Sequence, residues 1–144
     1  MTDVLPFIDA NVFLRHLLQD NVEQSPRASA LIDAIDRRQR RVQKTDTVVF
    51  EVVFVLQKLY HLERAEIAEG VGDLVNLAGL VLPNRRVYGT TLERYVSHRG
   101  LSFTDAFHSV LVQRELGGAL ISFDHDFDRF EGDHPNRADV TLRP

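Results

Sequence analysis

This chain predicts an α/β fold with a parallel sheet and helices on both faces. Three observations carry that expectation. Short apolar runs with strand character alternate with amphipathic runs of helical spacing from end to end. Acidic residues recur at the junctions where strand patterns give way to helices. Residues 102–130 hold a helix pattern, a break at Gly117-Gly118, a short apolar run at 119–122 and carboxylates at both ends, which is half of a βαβ unit with a charged tip.

With 144 residues, the simplest organisation is one domain over 1–144. Apolar residues make up 44% and charged residues 26%, ordinary values for a soluble globular chain. The absence of cysteine excludes a disulfide framework, a thiolate zinc site and a cysteine nucleophile, and fits the cytoplasm. No signal peptide or membrane span is expected. The net charge of −4 counts against a large non-specific nucleic-acid binder. It counts less against an enzyme whose acids hold metal ions, because the ions restore positive charge.

Residues 4–8 read as a first strand, closed by Asp9. Asp9-Ala10-Asn11 opens a helix with Val12, Phe13, Leu14, Leu17 and Leu18 on its apolar face. Residues 19–24 are loop-like. Ser25-Pro26 reads as a hydroxyl cap followed by proline at the first helical position, starting a helix to about Arg38. The basic cluster over 37–41, RRQRR, reads as a solvated helix end, with RNA or partner contact as the alternative. Residues 41–44 form a short second strand.

Thr45 or Asp46 caps a long apolar helix over 47–62. One charge, Glu51, stands among the apolar neighbours of 48–56, so the helix is expected to be buried on more than one side. A lone carboxylate there costs roughly several kcal/mol unless paired or bound to metal; the alternative is that Glu51 sits on a single exposed stripe. Residues 63–80 continue as a helix with Ile67, Val71, Leu74, Val75 and Ala78 inward. A turn at 82–84, a short strand at 87–88 and a helix from Thr90 or Thr91 to about His98 follow. Beyond 130 the chain is polar and turn-rich, with an edge strand expected at 140–142.

Segments that follow parallel strands emerge at one end of the sheet, near the point where strand order reverses. Asp9, Glu51 and Asp124 all follow strands, and Asp105 opens the helix that runs back into the penultimate strand. All four are expected at one edge. Facing carboxylates repel, and hard cations relieve the repulsion. Oxygen ligands suit Mg²⁺ or Mn²⁺, and two such ions can activate water for phosphodiester cleavage.

In order and spacing, FIDANVFLRHLL (7–18), TDTVVFEVVFVLQKLY (45–60) and LSFTDAFHSVLVQRELGGALISFDHDFDRF (101–130) resemble the PIN domain, and within it the VapC-like toxins of toxin–antitoxin pairs. The resemblance implies a compact three-layer α/β/α sandwich with a short, mainly parallel sheet and a metal-dependent ribonuclease centre. Asp9, Glu51, Asp105 and Asp124 match the four acids, as catalytic residues and metal ligands, with Asp126 as a further ligand. Asn11 matches the polar residue after the first acid, and Ser122 the hydroxyl two before the fourth. The resemblance further implies an RNA substrate (tRNA, rRNA or mRNA), a cognate antitoxin and a homodimer.

Other readings are weaker. The run from Asp124 to Asp128 fails as an EF-hand loop, because Arg129 replaces the glycine and Pro135 the glutamate. Asp9-Ala10-Asn11 lacks the second acid of an aspartyl-phosphate phosphatase. His108 shares a helix face with Asp105, and is expected as a buried, hydrogen-bonded histidine beside the site rather than a ligand. Arg15 and Arg129 are candidate substrate contacts, as are Arg85 and Arg86. A housekeeping RNA-processing nuclease, or a non-catalytic RNA- or protein-binding module on the same fold, are the alternatives to a toxin.

Overall fold

The structure, a computed structural model, describes residues 4–117. The chain divides into two compact units, Met1–Arg85 and Arg86–Pro144. The strands expected at 119–122 and 140–142 lie outside the described residues.

In the first unit, α1 (Ala10–Leu18) starts at Asp9, whose backbone is extended. Its apolar face buries Phe13 and Leu14. It packs on α2 (Gln24–Asp36) and α3 (Asp46–Phe54). α2 begins one residue before the expected Ser25 cap. The side chain of Asn21 accepts from the backbone N–H groups of Glu23 (3.1 Å) and Gln24 (2.8 Å), so the asparagine satisfies the helix start. Ser25 is buried, and its hydroxyl accepts from the Asn21 N–H at 3.2 Å. Pro26 falls within the first turn, where its missing N–H is harmless. Arg37 answers Asp33 one turn earlier at 3.0 Å, as expected of a solvated helix end.

β1 (Val42–Gln43) and β2 (Leu80–Val81) pair in parallel, with Val42 opposite Leu80. The first expected strand is reduced to a parallel bridge between Phe7 and Gln43, supported by Ile8 N–H to the Gln43 carbonyl at 3.0 Å. The register alternates as a pleat must: Val42 and Ile8 are buried, and Phe7 faces out at 65% exposure. The small parallel sheet among helices is the expected α/β class.

α3 passes without a break into a π-helical turn, Val55–Leu59, so the helix expected over 47–62 is present from Asp46 and ends at Leu59, three residues short of expectation. Its surroundings differ from expectation. Val49, Val52, Val53 and Leu56 are buried, whereas Phe54, Leu59 and Tyr60 are exposed. The helix has one buried face. α4 (Arg64–Val75) stops at Asn76 instead of reaching residue 80. The cause is Gly79. Its N–H donates to the Ile35 carbonyl (2.9 Å) and its own carbonyl accepts from Val42 N–H (3.0 Å). A Cβ there would strike the Ile35 and Arg40 carbonyl oxygens, so this close backbone approach excludes every other residue. It turns the chain from α4 into β2.

In the second unit, the residues expected as a strand at 87–88 form the end of a 3-10 turn (Arg85–Val87) and the first residue of α5 (Tyr88–Ser97). Tyr88 and Tyr95 are fully buried on α5 against α6 (Phe103–Leu111). Tyr88 lies 5.4 Å from Phe107, and Tyr95 meets Phe103 edge-on at 5.6 Å, ring geometries that suit the aromatic quadrupole. α6 continues into a second π-helical turn, Val112–Leu116, and Gly117 ends it at φ +64°, the left-handed C-terminal position that glycine favours.

Candidate metal centre

Asp9 closes the first extended segment and stands at the N-cap of α1. An aspartate there normally accepts from the N–H of the second or third helical residue. Here the side chain makes no such bond, and only the Asp9 carbonyl accepts, from Val12 N–H at 3.1 Å. The carboxylate is exposed and uncommitted among the described residues.

Asp105 is freed by a different device. Ser102 caps α6, its hydroxyl accepting from the Asp105 N–H at 3.1 Å. The serine therefore answers the helix start, and the half-buried Asp105 carboxylate in the first turn makes no hydrogen bond or ion pair with any described residue. An acid at that position also gains from the positive pole of the helix.

Glu51 lies midway along α3, and it is exposed. The expectation of a buried, compensated carboxylate is corrected: the helix turns Val49, Val52 and Val53 inward and leaves Glu51 on the outward stripe. It too has no partner among the described residues. His108 also departs from expectation. It is exposed, its ring edge-on to Phe107 at 5.8 Å, rather than buried. Asn11 is exposed on the first turn of α1. Arg15, one turn on, is held by Gln24 (3.0 Å) and Asp20 (3.3 Å). Asp124, Asp126, Ser122 and Arg129 lie outside the described residues.

Two other candidate phosphate contacts are corrected. Arg85 turns inward and donates to the carbonyls of Leu77 (2.8 Å) and Leu80, bracing the turn into β2. Arg86 holds Glu115 through two bonds at 2.6 and 2.9 Å.

Asp9 and Glu51 belong to the first unit and Asp105 to the second. Among the described residues, no three His, Cys, Asp or Glu side chains are grouped as a metal site. The donor chemistry nevertheless fits a hard divalent cation: oxygen-only side chains, two of them at helix starts, none engaged elsewhere among the described residues.

Lys44, which follows β1 directly, was not legible as a special residue. It is 2% exposed, and its Nζ lies 3.5 Å from the centroid of the Phe13 ring. Burial lowers its pKa from 10.5 to about 7. The ring contact favours the charged form by about 2 kcal/mol when desolvated. The shift corresponds to roughly 5 kcal/mol against it, so burial outweighs the ring. His16, half-buried and 2.8 Å from the Ser29 hydroxyl, is also lowered by burial.

A small parallel sheet among helices places the described residues in the α/β class. The PIN domain profile matches residues 7–133, and the chain belongs to the PIN domain family, whose members are generally nucleases. The match runs through both units. No curated protein matches the chain. Among the described residues, no helix is long and apolar enough to cross a membrane.

Proposed function

We propose that the chain is a single nuclease domain that hydrolyses RNA internally with the help of Mg²⁺ or Mn²⁺. Asp9, Glu51, Asp105 and Asp124 are its metal-holding carboxylates, and Asp126 assists. The observation that carries this reading is that Asp9, Glu51 and Asp105 are all uncommitted among the described residues, in a chain of this family. A structural role would engage them in caps or ion pairs. Asp9 leaves a cap bond unmade, and Ser102 takes the capping task from Asp105.

A divalent cation held by Asp9, Glu51, Asp105 and Asp124 would supply Lewis-acid polarisation of a phosphoryl oxygen and a lowered pKa for water. The chain's own residues do the rest. Asp9 and Asp105 offer ligands from helix N-termini, rigid positions whose backbones are fixed by the helices they begin. Asn11 and Ser122 orient groups beside the acids, with His108 on the face of α6 shared by Asp105. Arg15 and Arg129 hold substrate phosphate.

Calorimetric titration with Mn²⁺ tests the ligand set. Wild type binds, and Asp9→Asn and Asp105→Asn each lose affinity strongly without a change in melting temperature. Undiminished binding in both variants removes these acids from the centre.

Within this reading the protein acts as the VapC-like toxin of a pair, in the cytoplasm, as a homodimer restrained by an antitoxin. The outward Phe54 and Leu59 support a role in partner contact. A neighbouring reading frame whose product binds the protein and blocks cleavage supports the toxin role. Growth that is unaffected by expression of the wild type favours a housekeeping processing nuclease.

A further inference from the structure

A cleft of roughly 460 Å³ opens between α1 and α2. Its size is that of an ordinary ligand site, which runs from about 300 to 1,000 Å³. Arg15, Arg27 and Arg40 line it, with Asn11 at one end and Val12, Ala28 and Leu31 along the wall. Three guanidinium groups gather here in a chain whose net charge is −4. Arg15 is fixed by Gln24 and by Asp20. The side chains of Arg27 and Arg40 are exposed and make no hydrogen bond or ion pair with any described residue.

The three cations come from separate parts of the chain. Arg15 shares a face of α1 with Asn11, one turn earlier. Arg27 projects from the first turn of α2, where a cation gains nothing from the helix pole. Arg40 follows the left-handed Arg38, and its N–H donates to the Ala34 carbonyl at 3.2 Å. Gly79 packs against the Arg40 carbonyl, so the backbone that presents this guanidinium is clamped. Guanidinium forks match phosphate oxygens in bidentate geometry, and a fixed backbone lessens the entropy lost on binding. The cleft also begins at Asn11, two residues after Asp9.

We propose that Arg15, Arg27 and Arg40 form a phosphate-holding cleft that takes the backbone of a single-stranded RNA segment beside the acidic centre. The cleft deepens the nuclease reading and rests on it for the identity of the anion. It is a binding site on the first unit and requires no metal. Arg27 and Arg40 grip adjoining phosphates while Arg15 exchanges its weak, solvent-screened Asp20 partner for a third. The apolar wall of Val12, Ala28 and Leu31 lies against sugar or base.

The test is fluorescence anisotropy of the full chain with a short fluorescein-labelled oligouridylate, in EDTA, across a salt series. The double variant Arg27→Ala/Arg40→Ala is compared with Arg41→Ala/Arg99→Ala, which removes the same charge from exposed arginines outside the cleft. Both cleft arginines are exposed, so the first pair melts like wild type. It is expected to bind roughly 10-fold more weakly. The slope of log affinity against log salt falls by about 1.4, since each single-strand phosphate contact contributes about 0.7. The control pair keeps affinity and slope close to wild type.

Equal losses in the two pairs overturn the proposal, because only overall charge would then matter. An oligoglutamate peptide that binds the cleft while the oligouridylate does not also overturns it and assigns the site to an acidic protein segment. Binding that follows the cleft arginines in a protein that cuts no RNA upholds the cleft and refutes the nuclease reading. Metal-dependent cutting with binding indifferent to Arg27 and Arg40 does the reverse.

Discussion

Replacing Lys44 by methionine should stabilise the protein near neutral pH and flatten its alkaline stability profile. Lys44 is 2% exposed and its pKa falls from 10.5 to about 7 on burial. The shift corresponds to roughly 5 kcal/mol of penalty on the charged form. The sign follows from proton uptake. The folded pKa lies below the unfolded one, so between pH 7 and 10.5 the unfolded chain holds more protons. Wild-type stability therefore rises with pH through that window, and the penalty is complete below pH 7. Methionine has similar length and no charge to desolvate. Urea denaturation of both proteins across this range should show Lys44→Met more stable by several kcal/mol at the neutral end, with the advantage gone at the alkaline end. A variant less stable than wild type at neutral pH, or one with the same alkaline rise, refutes the reasoning.

Three further outcomes are expected. Gly79→Ala places a Cβ against the Ile35 carbonyl at 2.6 Å and against Arg40 O, and should destabilise by about 3 kcal/mol or more, read as a large fall in the urea midpoint. Ser102→Ala removes the hydroxyl that caps α6 and should cost about 1 kcal/mol, visible as a lowered melting temperature with the fold intact. His16 is lowered from 6.5 by burial, so folded-state stability that it permits is lost as pH falls below that value; His16→Gln should show a shallower acid loss in a pH series of melting temperatures.

Much of this was legible in the chain because the signals are local. Asp9 at the start of α1, and Asp105 in the first turn of α6 behind Ser102, follow from short-range helix chemistry and stand where expected. The α/β class followed from alternating patterns. Other features depend on distant partners. The helix expected over 63–80 takes in Leu80, the first residue of β2, because two residues cannot show a strand period and the turn into them is set by Gly79 meeting Ile35 and Arg40. The start of α2 depends on Asn21, whose amide outcompetes the Ser25-Pro26 signal. Glu51 faces outward because the rotation of α3 is fixed by what packs under Val49, Val52 and Val53, which the apolar run alone does not state. Lys44 is buried by the register of β1 with Phe7 and Ile8, and no pattern in the chain marks a lysine for that fate. The inward turn of Arg85 to two carbonyls is likewise a tertiary fact.

The central claim is metal-dependent hydrolysis of RNA by the acids at the helix starts. Its most direct measurement is incubation of RNA with wild type, Asp9→Asn and Asp105→Asn, with Mg²⁺ or Mn²⁺ and with EDTA, followed by mapping of the product ends. Wild type should cut only with the divalent ion, leaving 5′-phosphate and 3′-hydroxyl ends, and both variants should be inactive. Equal cutting by all three proteins, or products ending in a 2′,3′-cyclic phosphate, would contradict the account.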